Sequence, residues 1–254
     1  MKRFVTICLL ISISVLTACQ STGGVRGDDY VSQDSKAAEL NMRLGLNYLQ
    51  RGDYETALQK LQKALKQNPK LASAHNTIAL LYQRLDQMDK AEHHFEQALR
   101  YQPDYSQAQN NYGVFLCQQG RYSEAEKRFM IAIENPLYNS QAQAYENAGL
   151  CASRVPALEL AENYLRQALQ LNPTLTKSLL KMAEISYQNQ EYMRSRAYIE
   201  RFRSSTAWTP AALLQAIKTE DKLGDQNAVS SYKILLKAKF PDSEQALQVE
   251  RGPY

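Results

Sequence analysis

The chain has 254 residues, with 30 Lys and Arg against 26 Asp and Glu, and a formal net charge of +4. Removing Lys2 and Arg3 with the N-terminal segment described below lowers that charge to +2, which is too little for a nucleic-acid-binding protein. Apolar residues recur at spacings of three and four rather than two, so the composition predicts helices without strands.

Residues 1–18 are predicted to be a signal peptide, because Lys2 and Arg3 precede an apolar run too short to span a membrane. The run ends in LTAC, which resembles the lipobox of bacterial lipoproteins. That resemblance implies cleavage before Cys19, acyl chains on Cys19, and, since Gln20 and not Asp follows, transport to the outer membrane. An ordinary cleaved signal with an unrelated cysteine is the alternative. Residues 19–36, rich in Gly, Ser and Asp, then read as the lipidated cysteine and a flexible tether.

Three consecutive segments share small, aromatic and proline residues at a period of 34. The signature positions are Gly45, Ala57, Leu61, Ala64 and Pro69; Ala79, Ala91, Phe95, Ala98 and Pro103; and Gly113, Ala125, Phe129 and Ala132. This is the period of the tetratricopeptide repeat (TPR), a helix–turn–helix unit that must stack on copies of itself. We expect the small residue of each first helix to meet the large residue of the second at close approach.

The pattern predicts an all-α, right-handed TPR superhelix of about six repeats over residues 37–241, followed by a tail at 242–254. The repeats are placed at 38–71, 72–105, 106–139, 142–175, 176–209 and 210–243. The fourth repeat is two residues late, since Ala161 follows Ala125 by 36. A longer turn over PLYNSQ and an irregularity at Pro156 are therefore expected. We expect the tail to start as one more helical turn and then fray.

Cys117 and Cys151 lie 34 residues apart in the first helices of neighbouring repeats. An exported compartment is oxidising, so a disulfide between them is chemically allowed. Two buried free thiols acting as small apolar side chains are the alternative.

No catalytic constellation is recognisable. His93 and His94 are consecutive and so point to different helix faces. His75 stands where TPR units usually carry a bulky aromatic residue, which favours packing over metal binding. Motifs for a nucleophile or a metal are absent from the sequence. We expect no enzyme, no metal or other cofactor, and no small-molecule substrate.

The first helices of a TPR stack line its concave side, which predicts a groove for a partner protein. Its apolar and amide lining lacks the Lys and Arg of a carboxylate clamp and favours an apolar strand or helix as ligand. Asn76 and Asn110 are expected to face the groove because a core seldom supplies partners for amides. Leu46, Leu80, Val114 and Leu150 could instead pack between helices. The candidates are Met42, Leu46, Leu49, Asn76, Leu80, Gln83, Asn110, Val114, Cys117, Glu146 and Leu150.

The segments NNYGVFLCQQGRYSEAEKRF, ENPLY and YENAGLCA, after a lipobox and tether, resemble the type IV pilus biogenesis lipoproteins of the PilF/PilW type. The resemblance implies a pilotin on the outer membrane, with its TPR domain in the periplasm. Such a protein binds secretin subunits and promotes their multimerisation, and other pilus assembly proteins are further partners for the weaker late repeats. It also implies that Cys117 and Cys151 are paired.

Two alternatives share the generic features of this chain. One is a TPR lipoprotein that acts as an adaptor for peptidoglycan hydrolases or for an envelope assembly complex. The other is an envelope enzyme with a TPR arm, which the length disfavours because six repeats leave no room for a catalytic domain.

Overall fold

The computed structural model describes residues 27–156 and 158–252, and these ranges contain helices and no strand. The all-α TPR fold predicted from the sequence is confirmed. Within these ranges, six helix pairs and a final single helix follow one another. They are α1 (Gly27–Gln50), α2 (Tyr54–Gln67), α3 (Ala72–Arg84), α4 (Met88–Tyr101), α5 (Ser106–Gln118), α6 (Tyr122–Glu134), α7 (Gln141–Ala152), α8 (Leu158–Leu171), α9 (Thr176–Gln188), α10 (Tyr192–Ser205), α11 (Pro210–Leu223), α12 (Gln226–Lys239) and α13 (Glu244–Arg251).

The stack is curved with the first helix of each pair on the inside. Each odd-numbered helix contacts its partner and also the odd-numbered helix of the next pair, as in α1 with α3 and α3 with α5. Among the described residues, the second helices of neighbouring pairs do not make such contacts with each other. Because the first helices are closer together than the second helices, they form the inner, concave row.

In each of the first four helix pairs, the two helices come into close contact at one small residue, as the sequence predicted. A Cβ atom added to Gly113 would lie 2.7 Å from Cε1 of Phe129, and one added to Gly149 would lie 2.6 Å from Cγ of Leu165. Phe129 and Leu165 are themselves fully buried. The backbone of the first helix therefore rests directly on a large side chain of the second helix, and no room remains for a branched residue.

The irregularity of the fourth repeat has a simple cause. The turn inside the other repeats places one residue at positive φ, such as Gly52 (80°), Gly120 (76°) or Gln190 (63°). Pro156 occupies that position in the fourth repeat, and the proline ring fixes φ near −65°. Helix α7 accordingly ends early, at Ala152, whereas α8 begins at Leu158, the position equivalent to the start of α6. The expected longer turn before α7, from residue 135 to 140, is also confirmed.

The two ends of the stack differ from the sequence expectation. The tether was predicted to extend to residue 36, but α1 begins at Gly27. Polar composition had suggested a flexible segment, whereas no proline or glycine interrupts residues 28–44 and the helix continues through them. The signal peptide and Cys19 lie outside the described residues.

At the other end, the tail starts as a helix, as expected, and this helix, α13, has two turns rather than one. Ser243 caps this helix by accepting a hydrogen bond from the backbone N–H of Ala246 at 3.2 Å. Ala246 and Val249 are buried against α11 and α12, so α13 covers the apolar end of the last pair.

Cys117 and Cys151 form a disulfide, with their Cα atoms 5.9 Å apart. The bond links the last turns of α5 and α7, which are the inner helices on either side of the irregular junction. Both residues are buried, at 6% and 4% exposure. The disulfide therefore joins the third and fourth repeats at the place where the 34-residue period is broken.

Replacing Gly113 with Val should destabilise the fold by about 1–3 kcal/mol, because the added atoms collide with the buried ring of Phe129. Lys127→Val, on the exposed face of α6, is the matched control and should cost less than about 1 kcal/mol. The denaturant midpoint of the helical circular dichroism signal measures both. Equal midpoints for the two variants would show that the close approach is not a constraint.

Replacing both Cys117 and Cys151 with Ser should lower stability by roughly 3–4 kcal/mol, the chain-entropy value for a loop of this length. A reducing agent should lower the melting temperature of the parent protein and leave that of the double variant unchanged. Mass spectrometry of unreduced protein, alkylated while it is unfolded in denaturant, should find neither residue alkylated. Alkylation of both cysteines would contradict the pairing.

Candidate protein-binding groove

An open groove of about 790 Å³ lies on the inner side of the first three repeats. Five residues predicted from the sequence line it together: Leu46, Leu49, Leu80, Gln83 and Val114. Leu46, Leu80 and Val114 hold the same position in α1, α3 and α5, and each remains partly exposed. The side chains at this one position of successive repeats therefore form a continuous apolar floor.

The rim of the groove is polar and nearly uncharged. Gln83 donates a hydrogen bond to Gln118 at 2.5 Å, which joins the ends of α3 and α5. Arg84 is the one charged residue among those that line the groove. A single cation does not make a carboxylate clamp, so the lining fits an apolar strand or helix with few charges.

Sequence reasoning missed part of this lining because it considered only the first helices. Tyr54 and Met88 open the second helices of the first two repeats, at equivalent positions, and both line the groove. Their spacing of 34 was the signal that could have identified them.

The prediction that Asn76 and Asn110 face a ligand was wrong. Both are 4% exposed, and each accepts a hydrogen bond from an asparagine of the next repeat. Asn111 donates to Asn76 at 3.1 Å, and Asn147 donates to Asn110 at 3.0 Å. The core does supply partners for these amides, because the neighbouring inner helix offers one at the same height. The pairs form an amide ladder, Asn76–Asn111 and Asn110–Asn147, that ties α3, α5 and α7 together.

Glu146, another predicted groove residue, is also structural. It is 3% exposed, and its Oε1 accepts a hydrogen bond from the backbone N–H of Ser178 at 3.0 Å. Ser178 lies in the first turn of α9, where a carboxylate satisfies an unpaired N–H and complements the helix dipole. Met42 and Leu150 pack on buried clusters, with α2 and with α8 and α9 respectively. Cys117 is in the disulfide.

The inner row changes character along the stack. The position of Leu46, Leu80 and Val114 is taken by Leu150 in the fourth repeat, by Glu184 in the fifth and by Lys218 in the sixth. Glu184 pairs with Lys181 at 2.5 Å. Lys218 lines a separate charged depression of about 380 Å³ near α13. The apolar groove is thus confined to the N-terminal half.

His75 packs rather than facing an open site. It is 7% exposed, and its Nε2 lies 3.1 Å from the carbonyl oxygen of Pro69, so Nε2 must carry a proton and donate. Its Nδ1 is 3.0 Å from Nδ1 of His94. Burial lowers the pKa of both imidazoles, that of His94 to about 4, and so keeps the pair neutral. Gln109, the equivalent residue one repeat later, donates to the Pro103 carbonyl in the same way.

Across residues 27–156 and 158–252, no group of three or more His, Cys, Asp and Glu side chains could hold a metal ion. None of the helices in these ranges is long and apolar enough to cross a membrane.

Comparison with known proteins places this architecture in a family. A TPR repeat model matches residues 45–86 and a tetratricopeptide repeat model matches residues 76–132. Type IV pilus assembly protein PilF of Pseudomonas aeruginosa (strain PAO1) is 31% identical over 228 residues, which cover 90% of each chain.

Two solved structures are similar over most of their length. The structure of Pseudomonas aeruginosa PilF has a TM-score of 0.81 and 30% identity, and the match covers 86% of this chain and 99% of PilF. PilW, described as a widely conserved type IV pilus biogenesis factor, has a TM-score of 0.78 and 30% identity, with 84% and 98% covered. The chain shares its repeats and its fold with these proteins and is 31% identical to PilF over nine-tenths of its length. It therefore belongs to the PilF/PilW family of TPR proteins.

Proposed function

We propose that the protein is an outer-membrane lipoprotein that acts as a pilotin in type IV pilus biogenesis. It binds secretin subunits through the apolar groove and promotes their localisation and multimerisation at the outer membrane. Its role is binding and delivery, without catalysis. The observation that carries the proposal is the floor of Leu46, Leu80 and Val114, open on the inner side of a protein of the PilF/PilW family.

The groove supports binding of an apolar segment for energetic reasons. Leucine and valine side chains remain partly exposed in three successive repeats. Each Å² of their apolar surface that a ligand removes from water contributes about 25 cal/mol to the free energy of binding. The stack is held by the amide ladder and by the disulfide, so the groove is formed before the ligand arrives. A preformed site loses little conformational entropy on binding.

The anchor supports delivery. Only residues 20–26 separate Cys19 from the first helix, and seven residues span at most about 25 Å. Acyl chains on Cys19 would therefore hold the TPR domain close to the membrane surface. Confinement near a surface raises the effective concentration of bound secretin subunits, so that a modest affinity is sufficient for assembly.

Replacing Leu46 with Glu should weaken secretin binding about ten- to hundred-fold, since a charge replaces a leucine on the groove floor. Leu137→Glu is the matched control, because Leu137 is 85% exposed in a turn away from the groove. Both variants should keep the melting temperature of the parent within a few degrees. Binding is measured by co-purification of secretin with the tagged protein. Equal recovery of secretin with both variants would contradict the groove as the binding site.

Replacing Cys19 with Ala should leave the TPR fold intact and strand the secretin in the inner membrane. Membranes separated by density and probed for heat-stable secretin multimers give the measurement. Ser21→Ala, two residues after the acylation site, should behave like the parent. Normal multimers in the outer membrane of the Cys19→Ala strain would refute delivery by the lipid anchor. Loss of piliation together with a defect in cell shape would favour the adaptor role instead.

A further inference from the structure

A second cavity, of about 270 Å³, opens at the junction of the third and fourth repeats. Its lining comes from the start of α6, the end of α7 and the start of α8, and it shares no residue with the apolar groove. The floor is apolar and includes Phe129, Ala148, Cys151 and Leu160. We call this space the junction cavity.

Comparison with the preceding repeat shows what the junction cavity lacks. Ala148 and Cys151 follow Tyr112 and Phe115 by 36 residues, which is the spacing of these two repeats. The rings of Tyr112 and Phe115 lie 5.3 and 5.5 Å from the ring of Phe95 and fill the space between the second and third repeats. Phe129 is the equivalent of Phe95, but it faces an alanine and a cysteine.

Large residues fill the same position in the second and fifth repeats, whereas the sixth repeat has Ala216 and Thr219 there, both of them buried. Ile78 and Leu81 occupy it in the second repeat, and Met182 and Ile185 occupy it in the fifth. All four are buried, at 2% exposure or less. The empty space is thus particular to the fourth repeat among these and is not a general property of the fold.

The disulfide and the turn after α7 border the junction cavity. The disulfide holds the Cα atoms of Cys117 and Cys151 5.9 Å apart and so restrains α7 against α5 beside the cavity. Val155, which precedes Pro156 in the turn between α7 and α8, also lines the cavity. Ala152 and Leu160 in the cavity wall remain partly exposed, so the cavity offers apolar surface to a ligand.

A carboxylate at the rim gives the cavity a polar preference. In the third repeat the hydroxyl of Tyr112 donates to Glu92 at 2.8 Å. In the fourth repeat the equivalent carboxylate, Glu126, accepts a hydrogen bond from Tyr164 at 2.7 Å, and Tyr164 comes from α8 rather than α7. No Lys or Arg lines the cavity. The negative rim therefore suits a ligand that can donate a hydrogen bond.

We propose that the junction cavity receives one aromatic side chain with an N–H or O–H donor, tryptophan or tyrosine, from a protein partner. The ring takes the place that Tyr112 and Phe115 fill one repeat earlier, and its donor binds Glu126. A cavity of about 150 Å³ is enough for benzene, so 270 Å³ admits a phenol or an indole. This site is separate from the groove and does not depend on the secretin proposal.

The test is an NMR titration of the full chain, made with Cys19→Ser so that no acyl chain competes, using N-acetyltryptophanamide as the probe. Saturable shifts are expected at the methyl groups of Ala148, Ala152 and Leu160, with a dissociation constant on the order of 0.1–10 mM. N-acetylleucinamide should bind at least tenfold more weakly. Glu126→Gln removes the charge at constant size and should weaken binding of the tryptophan probe several-fold.

Ala148→Phe restores an aromatic ring to the cavity and should abolish the shifts. Ala152→Leu, at a second position in the wall, is used if that variant does not fold, as judged by its melting curve. Leu46→Glu in the groove is the control and should leave the titration unchanged. Absence of saturable shifts, equal binding of the leucine probe, or shifts that persist when the cavity is filled would each overturn the proposal.

Discussion

The structure depends on the close approach of two helix backbones in each of the first four repeats. Gly45, Gly113 and Gly149 meet Leu61, Phe129 and Leu165 at distances that exclude any further atom. This contact sets how near the first helix lies to the second. Because the same contact recurs every 34 or 36 residues, the first helices come into register with one another, and the inner row of side chains follows from that register.

The inner row serves two purposes at neighbouring positions. Buried amides at Asn76 and Asn110 bind the next inner helix and so join the repeats. Four residues further on, Leu80 and Val114 remain partly exposed on the groove floor. The asparagines that join the repeats therefore lie one helical turn from the groove floor, and the amide ladder runs directly beside the surface proposed to bind secretin. In the last two repeats Glu184 and Lys218 replace the apolar residues, so any ligand there must be of different chemistry.

Positions fixed by short-range rules were predictable from the sequence. The spacing of Gly113 and Phe129 gave the helix pair, and the two extra residues before Ala161 gave the lengthened turn. Burial of polar groups was not predictable, since the partner of Asn76 lies 35 residues away and depends on the relative height of two helices. Glu146 was missed for the same reason, because the N-terminus that it caps belongs to the next repeat.

The helical start at Gly27 and the junction cavity show two other limits. Composition alone did not distinguish a polar helix from a flexible polar tether. Residues 27–36 are helical because they continue into the rest of α1. The sequence did not indicate that Ala148 and Cys151 border a cavity. Comparison of the structure around them with that around Tyr112 and Phe115 shows a cavity beside the two smaller side chains.

We propose that the inner side of the first three repeats holds a secretin segment. Site-specific photocrosslinking in living cells tests it most directly, with a benzophenone amino acid at Leu80 and, as the reference, at the exposed Leu137. We expect a crosslink to the secretin subunit, identified by mass spectrometry, from Leu80 and none from Leu137. A secretin crosslink from Leu137 with none from Leu80 would contradict it.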